Sequence, residues 1–567
     1  MPKVEIYKNL FLDKVGKNFT NSEISELLEP FKAEFDGFDE NSGKIKIEFN
    51  DTNRPDLWSY TGLARQIKTY FFGKMPCYDF FSKKGDFKKC YGEILVDNKM
   101  SQIRPFIFGF LAKGLIINDR MLEALIQFQE KLCQSYGQKR KRVAMGMYNS
   151  NFIKFPISYV ASSPNHKFVP LGMDCELSLL EINEKHPKGL EYSHIIKNFD
   201  KYPLLLDDNN NVVSYPPIIN SNNIGSLKVG DTDIFVEVTG IDFEATLLAL
   251  SVVACDFYDM GFEILPVKTV FKKPFGLDFE ELVCPYYFQE EVEFNVKNVN
   301  RLLGSNLTLE RICLSLKKMG VNSYSRDLKN YVIPPFYRND FLHEVDVIED
   351  VMIGEGLASF HPELPKAFAV GRLSALEEFS RDIRNLMVGM GFQEMIYNYM
   401  GSKKDFIDRM NISDQNFLKV SNPMTENYEY IRASIIPNLL KSESVSSNFP
   451  YPHKIFEVGK IALKNLNTTI EGTSTFTNLA FLMSGKEISF NEINSIVATL
   501  FYYLNIEINL KESQANFYIN GRGADIFLKD FNIGSFGEIS PYVLNNFGIF
   551  IPCSVFEVNI NKLMSRS

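Results

Sequence analysis

The chain reads as an α+β protein assembled from several modules. Its 567 residues exceed what one hydrophobic core holds, which sets the expectation at about three to five domains. Short strand patterns and helical patterns alternate along the whole length. Apolar content of 45% and charged content of 23% are those of ordinary globular chains, and there is no fixed-period repeat, charged tail or low-complexity linker.

Residues 1–95 form the first expected module. KIKIEFN alternates as a half-buried strand does. Asn53-Arg54-Pro55-Asp56 reads as a turn, because Pro55 fixes φ and drives Arg54 out of the helical region. A local Arg54–Asp56 ion pair would shape it, and a helix is expected from about Ser59 to Tyr70. Residues 96–268 form the second. Asn118 or Asp119 caps a helix with the stripe Leu122, Leu125, Ile126, Gln129 and Leu132. It leads to Lys139, Arg140, Lys141 and Arg142, the densest positive patch in the chain, which is either a solvated loop or a phosphate contact. Pro216-Pro217 is expected to stiffen its surroundings into an extended form that presents side chains and carbonyls. DIFVEVTGID alternates as a strand; Glu237 within it faces solvent or a pocket, and pattern alone favours solvent.

The third module is 269–355. Thr308 caps a helix with the stripe Leu309, Ile312, Cys313, Leu316 and Met319, closed by Gly320. Beside small strands such a helix is plain core or part of a winged-helix-like nucleic acid binder. The module ends in YRNDFLHEVDVIEDVMIG. Asp346, Glu349 and Asp350 share one helical face, Asp340 can reach it, and Glu344 adds a fifth acid. No Lys or Arg occurs from Asn339 to Pro365, so nothing inside that window neutralises the acids. An all-oxygen set suits magnesium better than zinc; the competing reading, favoured by spacing alone, is a solvated acidic face near a helix N-terminus. The last module, 356–567, combines long helices such as Ala375 to Met390 with strands such as HKIFEVGKIAL. Gly521-Arg522-Gly523 is a weak phosphate-loop signal that fits neither a Walker loop nor a dinucleotide fingerprint.

Composition narrows the function classes. A net charge of −9 confines nucleic acid contacts to local basic patches. Eight scattered cysteines without a C-x-x-C fit reduced core thiols and a cytoplasmic setting. Six dispersed histidines without H-E-x-x-H argue against a zinc hydrolase. The opening MPKVEIYKNLF lacks a signal peptide's apolar middle, and the longest nearly apolar run, Ala245 to Cys255, is too short to span a bilayer.

Eight blocks, in order, then meet a family: NRPDLWSYTGLARQI, RPFIFGFLAKGLIIND, SYPPIINS, FVEVTGID, YRNDFLHEVDVIEDV, SNPMTENYEYIRASIIPNLL, KIFEVGKI and INGRGADI. With them the chain resembles, nearly end to end, the β subunit of phenylalanyl-tRNA synthetase in its shorter archaeal and eukaryotic-like form, with no room for the additional terminal domains of longer bacterial chains. The resemblance implies an α2β2 tetramer in which the α chain binds ATP and charges tRNA(Phe). The β chain would contribute an editing domain, a small winged-helix-like module and a C-terminal, catalytically degenerate class II-like antiparallel sheet. The degeneracy is visible in the residues: an active class II strand needs Arg–x–Glu, but Arg432-Ala433-Ser434 carries Ser, and no G-x-G-x-G-x-x-R occurs.

The resemblance also carries a Mg2+ site onto Asp340, Asp346, Glu349 and Asp350, and an editing pocket onto Leu205, Ser214, Glu237 and Thr239. Phenylalanine and tyrosine differ by one hydroxyl, and a site that hydrogen-bonds it discriminates by about 10⁴–10⁵. Glu237 would accept the tyrosine hydroxyl, Leu205 would line the ring pocket, and Ser214 and Thr239 would orient the ester or its water. The alternative is a non-editing tRNA- or protein-binding homologue.

Overall fold

The computed structural model describes residues 2–84, 88–271, 275–276, 279–365, 367–465 and 472–564. It divides into two compact units, Met1–Glu363 and Leu364–Ser567.

The first unit opens with a three-stranded antiparallel sheet of β1 (Lys3–Tyr7), β2 (Ala33–Asp39) and β3 (Lys44–Phe49), ordered β1-β3-β2. The strand expected at KIKIEF buries Ile45, Ile47 and Phe49 on one face. The Pro55 turn leads to α1 (Tyr60–Phe72), capped by Ser59, and Arg54 grips Asp56 through two bonds of 2.8 Å, so the expected ion pair is buried within the turn.

The centre of the unit is a ten-stranded mixed sheet made by β4 (Gly92–Val96), β5 (Phe106–Lys113), β6 (Val143–Asn149), β7 (Ile157–Ser162), β8 (Tyr202–Leu206), β9 (Val212–Tyr215), β10 (Ile219–Asn220), β11 (Ile234–Gly240), β12 (Glu263–Phe271) and β13 (Glu281–Cys284). Its order is β10-β9-β8-β7-β4-β12-β5-β11-β6, with β13 paired to β12. The seam expected at 268/269 falls inside β12. Between β5 and β6 lies α2 (Asp119–Lys131), capped by Asn118 as expected. Its buried stripe is Met121, Leu125, Phe128 and Leu132, while Ile126 is exposed. The buried face is thus rotated from the expected stripe toward Met121 and Phe128, leaving Ile126 in solvent.

The very apolar α3 (Phe243–Met260), Asp242-capped, packs on β5, β11, β12 and β6 and is buried nearly all round. This explains β11. With α3 on one side and the curled sheet on the other, every residue from Ile234 to Gly240 is buried. Glu237 is 3% exposed, which corrects the solvent-facing expectation: the alternation of polarity there did not mark a wet face. Pro216-Pro217 is likewise not an extended spacer. It forms a tight turn between β9 and β10, closed by Ile218 N–H donating to the Tyr215 carbonyl at 2.8 Å.

The unit ends with β14 (Val292–Phe294), α4 (Val296–Leu303), α5 (Leu309–Lys318), β15 (Asn322–Arg326), β16 (Lys329–Ile333) and α6 (Glu344–Glu355). The strands form a small antiparallel sheet ordered β14-β16-β15. Thr308 caps α5, whose buried face is Ile312, Ser315 and Leu316, followed by Met319.

The second unit is a seven-stranded sheet. The short strand Gln393–Glu394 pairs in parallel with β17 (His453–Lys464); β18 (Thr473–Ser484), β19 (Asn509–Glu512), β20 (Tyr518–Leu528), β21 (Phe531–Ile539) and β22 (Cys553–Asn559) continue it antiparallel, in the order β17-β18-β22-β21-β20-β19. Period-two alternation gives it two buried faces. Leu479, Phe481 and Met483 pack under α7 (Ala375–Gly389) and α9 (Phe490–Tyr503), with α8 (Ile436–Ser444) lying between those helices in the chain. Ala480 and Leu482 pack under α8 and α10 (Pro541–Phe547). Gly521-Arg522-Gly523 is no phosphate loop: it lies within β20, and Arg522 is paired with Glu538 at 2.8 Å.

Candidate functional site

The two ends of the central sheet curl toward each other, β6 meeting β10 through Tyr148 and Asn220, and this closure buries the residues expected around Glu237. In β11, Glu237 and Thr239 share one face, while Leu205 of β8 and Ser214 of β9 are cross-strand neighbours. All four are buried. Two groups that the sequence reading missed join them. Tyr148 of β6 donates its hydroxyl to Glu237 Oε1 at 2.9 Å and lies 3.5 Å from Asn220 Oδ1 on β10, at the other end of the sheet. Arg104, fully buried, donates from Nε to Thr239 Oγ1 at 2.9 Å and from its terminal nitrogens to the carbonyls of Thr239, at 2.6 Å, and Lys141, at 3.0 Å. Tyr159, the partner of Leu205 across β7, donates to the Arg104 carbonyl at 3.1 Å.

The electrostatics of this site are unbalanced. Glu237 Oε2 is buried without a hydrogen-bond partner, and Ser214 stands against the Tyr148 hydroxyl. An unpaired buried polar group costs about 1–3 kcal/mol, more when charged. Burial pushes the Glu237 carboxyl up to about 7, against the lowering effects of the Tyr148 hydrogen bond and the Arg104 charge. Burial lowers the Arg104 guanidinium in turn, since no carboxylate touches it. The chemistry on offer is a desolvated acceptor with one oxygen free, beside the hydroxyls of Tyr148 and Ser214. His186 and His194 take no part: His186 caps the helix Pro187–Tyr192, and His194 is bonded to the Glu191 carbonyl.

The acidic segment behaves differently. Arg338, one residue outside the acid-only window, is 3% exposed and binds both neighbouring carboxylates. It donates to Asp340 at 2.9 and 2.6 Å and to Asp350 at 2.6 and 3.2 Å. Burial would raise Asp340, but Arg338 outweighs it and holds the carboxyl below its ordinary value; at Asp350 burial wins and the carboxyl is raised. Asp346 turns back to cap α6, accepting from Leu342 N–H at 2.7 Å and His343 N–H at 2.8 Å. Glu349 pairs with Lys32, and Glu344 accepts from Asn295 and Asn298. The expected Mg2+ set Asp340, Asp346, Glu349 and Asp350 is therefore not gathered on one centre: both oxygens of Asp340 and of Asp350 are taken by Arg338, one of Asp346 by backbone donors and one of Glu349 by Lys32. Among the described residues no group of three or more His, Cys, Asp or Glu stands close enough to hold a metal ion. These residues, as arranged, do not fit the ion.

The basic run is half structural. Arg140 donates to the carbonyls of Pro217 and Ile218 at 3.1 and 3.0 Å and lies over the Tyr192 ring, while Arg142 pairs with Asp242 at 3.0 Å. Lys139 and Lys141 remain exposed. In the second unit, Arg432 is fully buried against Glu457, at 2.8 Å through each of two nitrogens, and Ser434 is bonded to Glu557. Gly459 permits this, because a Cβ there would sit 2.3 Å from the Arg432 guanidinium. An arginine locked in this way is withheld from a phosphate.

Residues 1–74 match the Phe-tRNA synthetase beta subunit B1 domain, 292–357 the tRNA synthetase B5 domain, and 361–560 the phenylalanyl tRNA synthetase beta chain CLM domain. The chain is 92% identical over 567 residues to the phenylalanine–tRNA ligase beta subunit of Borrelia garinii subsp. bavariensis, with 100% of both chains covered. It is 37% identical over 607 residues to the protein of that name in Treponema pallidum subsp. pallidum, again with 100% of both covered. A crystal structure of an N-terminal fragment of the phenylalanyl-tRNA synthetase beta subunit from Pyrococcus horikoshii is similar at 36% identity, covering 63% of this chain and 100% of that one, with a TM-score of 0.58.

Proposed function

This chain belongs to the phenylalanine–tRNA ligase β-subunit family, and we propose that within its ligase it removes tyrosine mistakenly joined to tRNA(Phe) at the pocket of Glu237, Ser214, Thr239 and Leu205. The observation that carries this reading is the unpaired Oε2 of a buried Glu237. A phenolic hydroxyl would satisfy it, whereas a phenylalanine ring would leave it stranded, which is the basis for rejecting the ligand that lacks the group. Water adds to the ester carbonyl, the bond to the terminal ribose oxygen breaks, and tyrosine leaves as the tRNA regains its hydroxyl. With no histidine at the pocket, positioning and a tRNA hydroxyl supply the chemistry here.

The α subunit and tRNA are the partners that a β subunit of this ligase implies; the α2β2 stoichiometry, the cytoplasmic setting and the shorter archaeal and eukaryotic-like form are part of the proposal. The likeness to the Pyrococcus horikoshii fragment supports that form. ATP is assigned to the α chain, in keeping with the Arg432–Glu457 lock. The proposed modules are an N-terminal one at 1–95, an editing module extended to 96–284 because β13 pairs with β12, a winged-helix-like module closing at about 355, and a degenerate class II-like unit whose start moves from the expected 356 to about 364, where the second compact unit begins. Lys139 and Lys141 are kept as tRNA contacts. Among the described residues no helix is long and apolar enough to cross a membrane. The non-editing homologue is not favoured.

The test is Tyr-tRNA(Phe) hydrolysis by the α/β complex carrying Glu237→Ala. Loss of the preference for Tyr-tRNA over Phe-tRNA is expected; full activity with unchanged selectivity ends the assignment.

A further inference from the structure

We propose that Tyr148 is a positioning residue for discrimination: its hydroxyl occupies one oxygen of Glu237 and so leaves the other as a single, directed acceptor for the ligand's phenol. This rests on the editing reading given above and adds to it a residue on another strand.

The geometry is specific. Tyr148 lies opposite Phe235 in the β6–β11 register, and its ring stacks on Phe235 with centroids 5.9 Å apart and planes 25° apart. The ring is 0% exposed, so the hydroxyl is held where it is. Directly opposite Glu237 stands Gly146. A Cβ at that position would lie 1.9 Å from the Tyr148 hydroxyl and 2.7 Å from Glu237 Oε1, so the pair exists only because residue 146 has no side chain.

An ionised carboxylate has two oxygens and accepts about four hydrogen bonds. Left to itself in a pocket it can rotate and meet donors from several directions. Bound at Oε1, it presents Oε2 alone, and Oε2 is the atom without a partner. The Tyr148 bond also opposes the effect of burial on the same carboxyl, which favours its acceptor form near neutral pH. Tyrosine's hydroxyl then finds an acceptor of fixed direction, and phenylalanine finds a desolvated charge it cannot satisfy.

The experiment compares the α/β complex with its Tyr148→Phe form on purified Tyr-tRNA(Phe) and Phe-tRNA(Phe) across a pH series. In Tyr148→Phe we expect kcat/KM for Tyr-tRNA to fall by about ten- to a hundredfold, the worth of a hydrogen bond to a charged group. Phe-tRNA hydrolysis should stay level, and the pH midpoint of Tyr-tRNA hydrolysis should rise. A merely structural role would lower both substrates together and leave the midpoint in place, which overturns the proposal. Site-specific 3-fluorotyrosine at 148, nearly isosteric and a stronger donor, is the second arm and should move the midpoint down; an unmoved midpoint counts against the proposal. A wild-type complex with no preference for Tyr-tRNA overturns the editing reading and this proposal with it. A wild-type preference that survives Tyr148→Phe overturns this proposal alone.

Discussion

Asp350 and Glu237 are both buried carboxylates of the first unit, and their surroundings differ in one respect. Asp350 meets Arg338 through two nitrogens, with Asp340 held by the same guanidinium. Glu237 meets a neutral phenol at one oxygen and nothing at the other, and its nearest arginine, Arg104, is spent on Thr239 and main-chain carbonyls. The first arrangement closes on itself and braces the turn before α6. The second keeps an unmet demand, and a ligand can meet it. Acid density is therefore a poor guide to function: the five-acid segment is consumed by its own structure, while a lone acid in an apolar strand is left available.

The comparison can be broken most forcefully at Arg338. Arg338→Met strands two buried carboxylates and should cost about 3–5 kcal/mol in urea unfolding. Adding Asp340→Asn and Asp350→Asn should return much of it; a loss below about 1 kcal/mol in the single variant would mean that the arginine does not compensate the acids. Glu237→Gln should act in the opposite sense. The folded carboxyl is raised from 4.5 to about 7, so the stability it favours is fully present below pH 4.5 and lost as pH rises through about 7. The amide cannot titrate, so the variant's stability should be flat across that window and exceed the wild type's above pH 7, by about 1–3 kcal/mol. Denaturant melts at pH 5 and pH 8 measure it; parallel pH slopes for the two proteins would refute it. Smallest is Lys32→Ala, which removes the half-exposed partner of Glu349 and should change stability by about 1 kcal/mol or less, vanishing in high salt. A larger loss would move Glu349 into the class of buried, compensated acids.

Much of the local architecture was legible. Asn118 and Thr308 cap the helices expected of them, because a cap involves residues only two or three apart, and the helix expected from about Ser59 begins at Tyr60. The Arg54–Asp56 pair spans two residues and was read for the same reason. The acid segment is misread by one position, since Arg338 stands just before the window that lacks Lys and Arg. Glu237 was misread because alternation cannot tell a wet face from one covered by α3 and a curled sheet. The likeness to a family carried Leu205, Ser214, Glu237 and Thr239, but nothing in the sequence pointed to Tyr148 or Arg104.

The amino-acid sequence by itself determined where helices and strands begin, which faces carry apolar residues, and to which family the chain belongs. Those properties live in short-range sterics, capping and the order of residues along the chain. Only the tertiary structure decided which charge is satisfied. Tyr148 reaches Glu237 across 89 residues and Lys32 reaches Glu349 across 317. Hydrogen bonds and ion pairs act over a few ångströms of space, so a side chain's partner, and with it the difference between a brace and an open acceptor, exists only once the sheet has closed.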